Sequence, residues 1–191
     1  MDDLPAFSRR ALLAGGAAAA PALAMGATGG GALRDMDPLR LELVMNLIVT
    51  CSAPEPVGPG ASASKDGART EIWPIIGGRF EGPNIRGKVV PGGGDFPVTR
   101  PDGVEVVDAL YRLKTDDGVT ILIHNKGLAY PQPSGQWPKY RLVPEFTAPV
   151  GRYDWLNRSI FLATLSEVPP AMALAQGPDE NDRLIQVRRV A

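Results

Sequence analysis

The sequence predicts an all-β protein, a single antiparallel up-and-down β-barrel of about eight to nine strands, and three observations carry that expectation. Short apolar segments of strand length, several alternating with polar residues, follow one another from residue 39 onward. Turn signals such as Pro101-Asp102-Gly103 and Asp116-Asp117-Gly118 separate them, with glycine supplying the positive φ that tight hairpins demand. No long helix-forming run follows the N-terminal segment in a chain of 191 residues that holds 22 Gly and 19 Pro. Consecutive hairpin-linked strands leave an exposed edge at each end, and closure into a barrel or barrel-like sandwich removes both.

Residues 1–24 stand apart from this pattern. Ser8-Arg9-Arg10-Ala11-Leu12-Leu13 precedes a stretch of Ala, Gly and Leu, which resembles a bacterial twin-arginine export signal. That stretch is too short and too rich in Gly and Ala for a membrane span. Ala22-Leu23-Ala24 offers a small-x-small cleavage site, leaving 191 − 24 = 167 residues. The expectation is a signal peptide at 1–24, a flexible lead-in at 25–38, a barrel domain at 39–191, and a periplasmic protein with no membrane insertion after cleavage.

Along the barrel domain, residues 39–51 alternate at first (Leu39, Leu41 and Leu43 against Arg40 and Glu42) and then turn wholly apolar, as a strand does when it passes into a core. Residues 53–68 carry Pro, Gly, Ser and Ala with few large apolar side chains, a loop composition often found over pocket mouths. A second strand runs over 70–76, with Gly77-Gly78 allowing a kink before it continues through Arg79–Glu81. Further strands are expected at 84–90 and 95–100, joined by Pro91-Gly92-Gly93-Gly94 as a wide turn, and then at 104–115 and 119–125. A three-residue loop ending at Gly118 pairs Thr115 with Val119. It places Ala109, Tyr111 and Leu113 on one face with Val119, Ile121 and Ile123, and Asp108, Arg112 and Lys114 on the other with Thr120 and His124. A two-residue loop mixes the two sets, because a one-residue slip moves every side chain across the sheet. Strands at 139–147, 153–165 and 183–190 complete the series, with an acidic, proline-broken excursion at 166–182 expected to be mobile.

Composition excludes several function classes. The net charge is −1 and no basic patch stands out, which argues against nucleic acid as a partner. One cysteine and one histidine leave a Cys/His zinc site without ligands and an intrachain disulfide without a second thiol. No metal site and no cofactor is expected. Pro91-Gly92-Gly93-Gly94-Asp95 lacks the following helix and the Lys-Ser/Thr pair of a phosphate loop. G-x-S-x-G is absent, so a hydrolase triad has no support.

The candidate chemistry is acid–base. Glu81 and Asp95 bracket the 82–94 hairpin and can form a carboxylate pair; turn-flanking carboxylates that bond backbone amides are the plain alternative. Tyr111 falls on the apolar face, where a buried hydroxyl needs a partner, and Asn125 is a candidate for it. Arg79 shares a strand face with Glu81, as a pocket-lining ion pair or a solvated one. Trp155 and Asn157 share a face of the 153–165 strand, either lining a ligand or packed in the core. Glu81, Asp95 and Tyr111 are thus the catalytic candidates, and Arg79, Asn125, Trp155 and Asn157 the ligand-binding ones.

Ile76-Gly77-Gly78-Arg79-Phe80-Glu81-Gly82-Pro83 and Gly87-Lys88-Val89-Val90-Pro91-Gly92-Gly93-Gly94-Asp95 resemble the small bacterial proteins of domain of unknown function 3237, also called uncharacterised protein family 0311. Arg100-Pro101-Asp102-Gly103, Thr115-Asp116-Asp117-Gly118 and Tyr153-Asp154-Trp155-Leu156-Asn157-Arg158-Ser159-Ile160-Phe161 match in the same order. The resemblance spans about 39–165 and the last strand. It implies a barrel of lipocalin-like or allene-oxide-cyclase-like outline and supplies no catalytic residues. Where the family pattern has Asp-Ala-Arg-Tyr, this chain has Asp108-Ala109-Leu110-Tyr111; if that arginine contacts a ligand in relatives, its loss implies a less anionic ligand here, or nothing alike.

Three functions remain open at this point. The barrel binds a small, mostly apolar organic molecule and acts on it as a metal-independent cyclase, isomerase or lyase; or it is a periplasmic carrier with the same lining and no chemistry; or it is a structural module, with a homo-oligomer possible.

Overall fold

The computed structural model describes residues 38–57 and 67–191. The expected signal peptide, nearly all of the lead-in and most of the 53–68 loop lie outside the described residues. The chain forms strands β1 (Leu41–Cys51), β2 (Glu55–Pro56), β3 (Arg69–Glu81), β4 (Arg86–Asp95), β5 (Val98–Thr99), β6 (Glu105–Thr115), β7 (Thr120–Tyr130), β8 (Lys139–Thr147), β9 (Phe161–Ser166) and β10 (Asn181–Val190). They run in the order β1-β10-β9-β8-β7-β6-β4-β3, and β1 pairs β3 to close the ring into an eight-stranded antiparallel barrel. β2 and β5 are two-residue additions at one end, paired to β3 and to β3 and β6.

The β6–β7 hairpin has the expected register. Lys114 pairs with Thr120, and Gly118 takes φ +90°. The Thr115 N–H donates to the Val119 carbonyl at 2.9 Å. Tyr111, Leu113, Ile121 and Ile123 are buried inside, while Asp108, Arg112, Lys114, Thr120 and His124 lie outside, where Asp108 pairs with His124.

Four expectations are corrected. Pro91-Gly92-Gly93-Gly94 is not a turn but an irregularity inside β4, between Val90 and Gly94. A Cβ on Gly93 would stand 2.5 Å from the Tyr111 Cβ, so only glycine lets β4 press onto β6 there. The strand expected at 95–100 shrinks to Val98–Thr99 because β4 has already absorbed Asp95. The strand expected at 153–165 begins only at Phe161. Before it, Asp154–Arg158 forms a 3-10 turn that drives Leu156 into the closed end of the barrel. Finally, the excursion expected to be mobile at 166–182 is tied down: the Asp182 carboxylate accepts from the Leu174 and Ala175 N–H groups and from the Thr50 hydroxyl.

The interior is divided along the barrel axis. Leu47, Phe80, Val89, Leu113, Ile121, Phe161 and Val187 fill one half with apolar side chains, and Leu156 and Tyr153 stopper it. The Tyr153 hydroxyl donates to both Asp117 carboxylate oxygens, at 3.0 and 3.1 Å, which fastens the stopper to the β6–β7 turn. Polar and aromatic side chains occupy the other half, where β1, β4, β7 and β9 end and β3, β6, β8 and β10 begin.

Candidate functional site

Strand alternation decides what lines that second half. On β3, Glu71 and Trp73 share a face with buried Ile75; on β6, Glu105 shares one with Val107 and Ala109. On β8, Tyr140 lies two residues before buried Leu142, and on β10 Arg183 lies two before buried Ile185. Asp95 pairs with Trp73 on one side and Ala109 on the other, so it also faces inward. Glu71, Trp73, Asp95, Glu105, Tyr140 and Arg183 are all only half-buried. Inside a closed barrel, partial exposure of inward-facing side chains means that this end is open to solvent.

Hydrogen bonds and charges couple the group. The Trp73 indole Nε1 donates to Glu71 at 2.8 Å, and the Tyr140 hydroxyl to Glu105 at 3.4 Å. The Arg183 guanidinium lies over the Trp73 ring at 5.3 Å and over the Trp137 ring at 5.1 Å. Burial pushes the Asp95 carboxyl up to about 7, the Asp108 and Phe96 N–H groups pull it back, and the nearby charges of Glu105 and Asp108 add to the rise. The Asp95 Oδ1 accepts the Asp108 N–H at 3.1 Å. Burial, and then the Glu71 charge, raises Glu105; Tyr140 and Arg183 oppose it. Burial also raises the Tyr140 phenol and sends the Cys51 thiol up to about 11, so Cys51 is an inert thiol and not a nucleophile.

Deeper in, Tyr111 and Asn125 sit at 2% and 1% exposure. The Asn125 amide is near enough to favour the Tyr111 phenolate slightly, against burial and the charge of Asp95, which raise it. Yet neither the Tyr111 hydroxyl nor the Asn125 Oδ1 has a hydrogen-bond partner among the described residues. A buried donor–acceptor pair, deeper in the barrel than the half-buried polar group, is therefore left unsatisfied, a costly arrangement in a folded core.

The remaining sequence candidates are dispersed. Glu81 pairs with Arg86 at the opposite end of the β3–β4 ladder, whereas Asp95 pairs with Trp73. Eight residues separate Trp73 from Glu81 along β3, about 25 Å of strand at the usual rise, so the two carboxylates do not converge. Arg79 and Glu81 point outward and are exposed, flanking inward-facing Phe80. Asn157 closes two bonds with Ala148: its Oδ1 accepts the Ala148 N–H at 2.8 Å and its Nδ2 donates to the Ala148 carbonyl at 2.9 Å. Trp155 packs on Phe161 at the closed end, where it lines a surface cleft of about 390 Å³ with Glu42, Pro83, Ile85, Arg152 and Arg189. Three arginines at that end are already paired, Arg189 with Glu42, Arg152 with Asp117 and Arg86 with Asp116. Among the described residues, no cluster of three or more His, Cys, Asp and Glu side chains is placed to hold a metal ion.

Of the seven candidates, then, Asp95, Tyr111 and Asn125 meet in the lumen, and Glu81, Arg79, Trp155 and Asn157 lie elsewhere. Glu71, Trp73, Glu105, Trp137, Tyr140 and Arg183 complete the opening, and none of them is among the sequence candidates.

A family model described as "Protein of unknown function (DUF3237)" matches residues 39–172. The chain belongs to this family. A UPF0311 protein of Clostridium acetobutylicum is 28% identical over 156 residues, covering 74% of this chain and 95% of the relative. The crystal structure of a protein with unknown function from the same organism superposes with a TM-score of 0.67 at 27% identity, covering 82% of this chain and all of that one (100%). A "beta-barrel like protein" of Acinetobacter baumannii (TM-score 0.66, 20% identity, 81% and 97% covered) shares the fold. So does a protein described as "an enzyme from Penicillium herquei" (TM-score 0.57, 19% identity, 81% and 96% covered). In this DUF3237 protein the departure at Leu110 lies on the outer face, where the side chain is 43% exposed. The exchange there leaves the lumen unchanged, so the inference of a less anionic ligand has no basis.

Proposed function

We propose that this DUF3237 protein binds a small, mostly apolar organic molecule in the open half of its barrel and exchanges a proton with it through Asp95, as an isomerase, cyclase or lyase does. The observation that carries this reading is the inward-facing Asp95 carboxyl above the buried, unpartnered Tyr111–Asn125 pair. Aromatic Trp73, Trp137 and Tyr140 supply apolar contact at the opening, and Tyr111 and Asn125 supply one donor and one acceptor at its floor. A carboxyl held near neutrality gives and takes a proton with little driving-force penalty. The fold also occurs in the Penicillium herquei protein described as an enzyme, which is consistent with chemistry on this scaffold.

The second reading is a carrier that uses the same lining without chemistry. It is favoured by the backbone N–H bond that Asp95 accepts from Asp108, an ordinary structural role for a carboxylate. Native mass spectrometry of the purified protein tests both: a co-purifying small molecule is expected, and its absence together with a lumen filled by side chains in a crystal structure removes both. Once a substrate is found, Asp95→Asn separates them, abolishing turnover with binding retained in an enzyme and changing neither in a carrier. We also propose that Ser8-Arg9-Arg10 and the following Ala/Gly/Leu stretch direct twin-arginine export to the periplasm. Replacing both arginines with lysine is expected to hold the protein in the cytoplasmic fraction.

A further inference from the structure

We infer that Arg183 is the specificity-determining residue of the barrel opening and that the ligand taken there is an organic carboxylate, its apolar body directed toward Tyr111 and its carboxylate on the guanidinium. The inference rests on the proposed lumen site and adds the class of molecule it receives. What sets Arg183 apart among the described arginines is its place: it lies on the inward face of β10, two residues before buried Ile185, with two indole rings against its guanidinium. Arg183 has no carboxylate within 4.0 Å among the described residues, although Glu71, Asp95 and Glu105 face the same opening. Each is otherwise engaged: Glu71 accepts from the Trp73 indole, Glu105 from the Tyr140 hydroxyl and Asp95 from the Asp108 N–H.

The guanidinium is at the same time held in place. Trp73 and Trp137 present their faces to it at 5.3 and 5.1 Å, and its Nη1 donates to the Asp182 carbonyl at 3.0 Å. Of the guanidinium's five donors, one is used in a hydrogen bond to protein, that from Nη1 to the Asp182 carbonyl. A guanidinium held by two indole contacts and a backbone carbonyl matches the two oxygens of a carboxylate, and part of its ordering entropy has already been met by those contacts. The surrounding carboxyls oppose an anion less than their number implies, because burial moves Asp95 and Glu105 toward their neutral forms. The buried Tyr111 and Asn125 atoms, unsatisfied below the same opening, are the second feature that points to an occupant.

The test compares three probes of one shape, 2-naphthoate, 2-naphthamide and 2-naphthylmethylamine, by calorimetry on the full-length protein and on Arg183→Met and Arg183→Lys variants. Folding of each variant is checked by thermal melting. In the wild type, the naphthoate is expected to bind about tenfold or more tighter than the amide, the scale of one charge-assisted contact, and the ammonium weakest. Arg183→Met should bring naphthoate and amide to parity; Arg183→Lys should keep a preference for the anion but a smaller one, because the fork is lost. If Arg183→Met does not fold, the Lys variant decides alone. Equal binding of acid and amide to the wild type, or a preference unaffected by the variants, overturns the assignment of Arg183 and leaves the lumen site standing. Failure of all three probes to bind overturns both.

Discussion

Replacing Asp95 with Asn removes a carboxyl that the barrel holds in the wrong protonation state for its surroundings. Its folded value is about 7 against an ordinary 3.8, with burial as the main cause and the Glu105 and Asp108 charges next. A raised value in an acid means that the folded state holds the proton more tightly than the unfolded chain. Stability is therefore full below the unfolded value, falls as pH rises from about 4 to about 7, and is flat above that. Three pKa units correspond to about 4 kcal/mol of penalty on the ionised form at alkaline pH, an upper bound for a half-buried group. Between about pH 5 and about pH 8 the wild type should lose roughly 2–3 kcal/mol through this one group. Asparagine keeps an oxygen for the Asp108 N–H and has no proton to lose. Urea denaturation across this range should thus give a wild-type curve that descends with pH and an Asp95→Asn curve that is shallower and higher at alkaline pH. Glu105 titrates in the same direction and contributes to both curves, so the difference between them isolates Asp95. Parallel curves would refute the reasoning, since they would mean that Asp95 is solvated and titrates normally.

Tyr111→Phe deletes a buried hydroxyl with no partner, so stability should hold or rise by up to about 1 kcal/mol in chemical denaturation; a loss larger than that would show that the hydroxyl is bonded. Asn157→Ala removes two bonds to Ala148 at the closed end and should cost about 1–3 kcal/mol in the same measurement, with ligand affinity untouched. Gly93→Ala places a Cβ 2.5 Å from the Tyr111 Cβ and 2.6 Å from the Leu110 carbonyl oxygen. It should lower stability by about 1–3 kcal/mol, and shifts of the β6 amide resonances would locate the strain.

The β6–β7 hairpin was legible because its determinants are local. Gly118 supplies the turn, Thr115 and Val119 bond across it, and the alternation of five or six neighbours sets the face. The Pro91–Gly94 segment was not. A run of glycines serves a turn and a strand irregularity equally well, and the choice depends on how closely β4 must approach β6, a contact with residues 110 and 111. Likewise 153–165 has strand-like alternation near its end, yet Asn157 finds Ala148 and Leu156 finds the barrel floor, and these contacts turn its first part into a 3-10 turn. Glu105 was within reach of sequence reasoning: the register that put Val107, Ala109 and Tyr111 inside also puts Glu105 inside, a carboxylate on an apolar face. Arg183 carries the same signal beside Ile185 and Val187.

Acting alone, the sequence determined the class of fold, the closed meander of strands, and the face of each residue in the central hairpin, because turn chemistry and two-residue alternation act between near neighbours. Tertiary structure decided the site. Asp95, Tyr111, Asn125, Glu105, Tyr140 and Arg183 come from five different strands, one or two from each, so no spacing along the chain brings them together. Only closure of the barrel does. The same closure sends Glu81 to the far rim from Asp95, leaves the Tyr111 hydroxyl without a partner, and brings Trp73 and Trp137 against the Arg183 guanidinium.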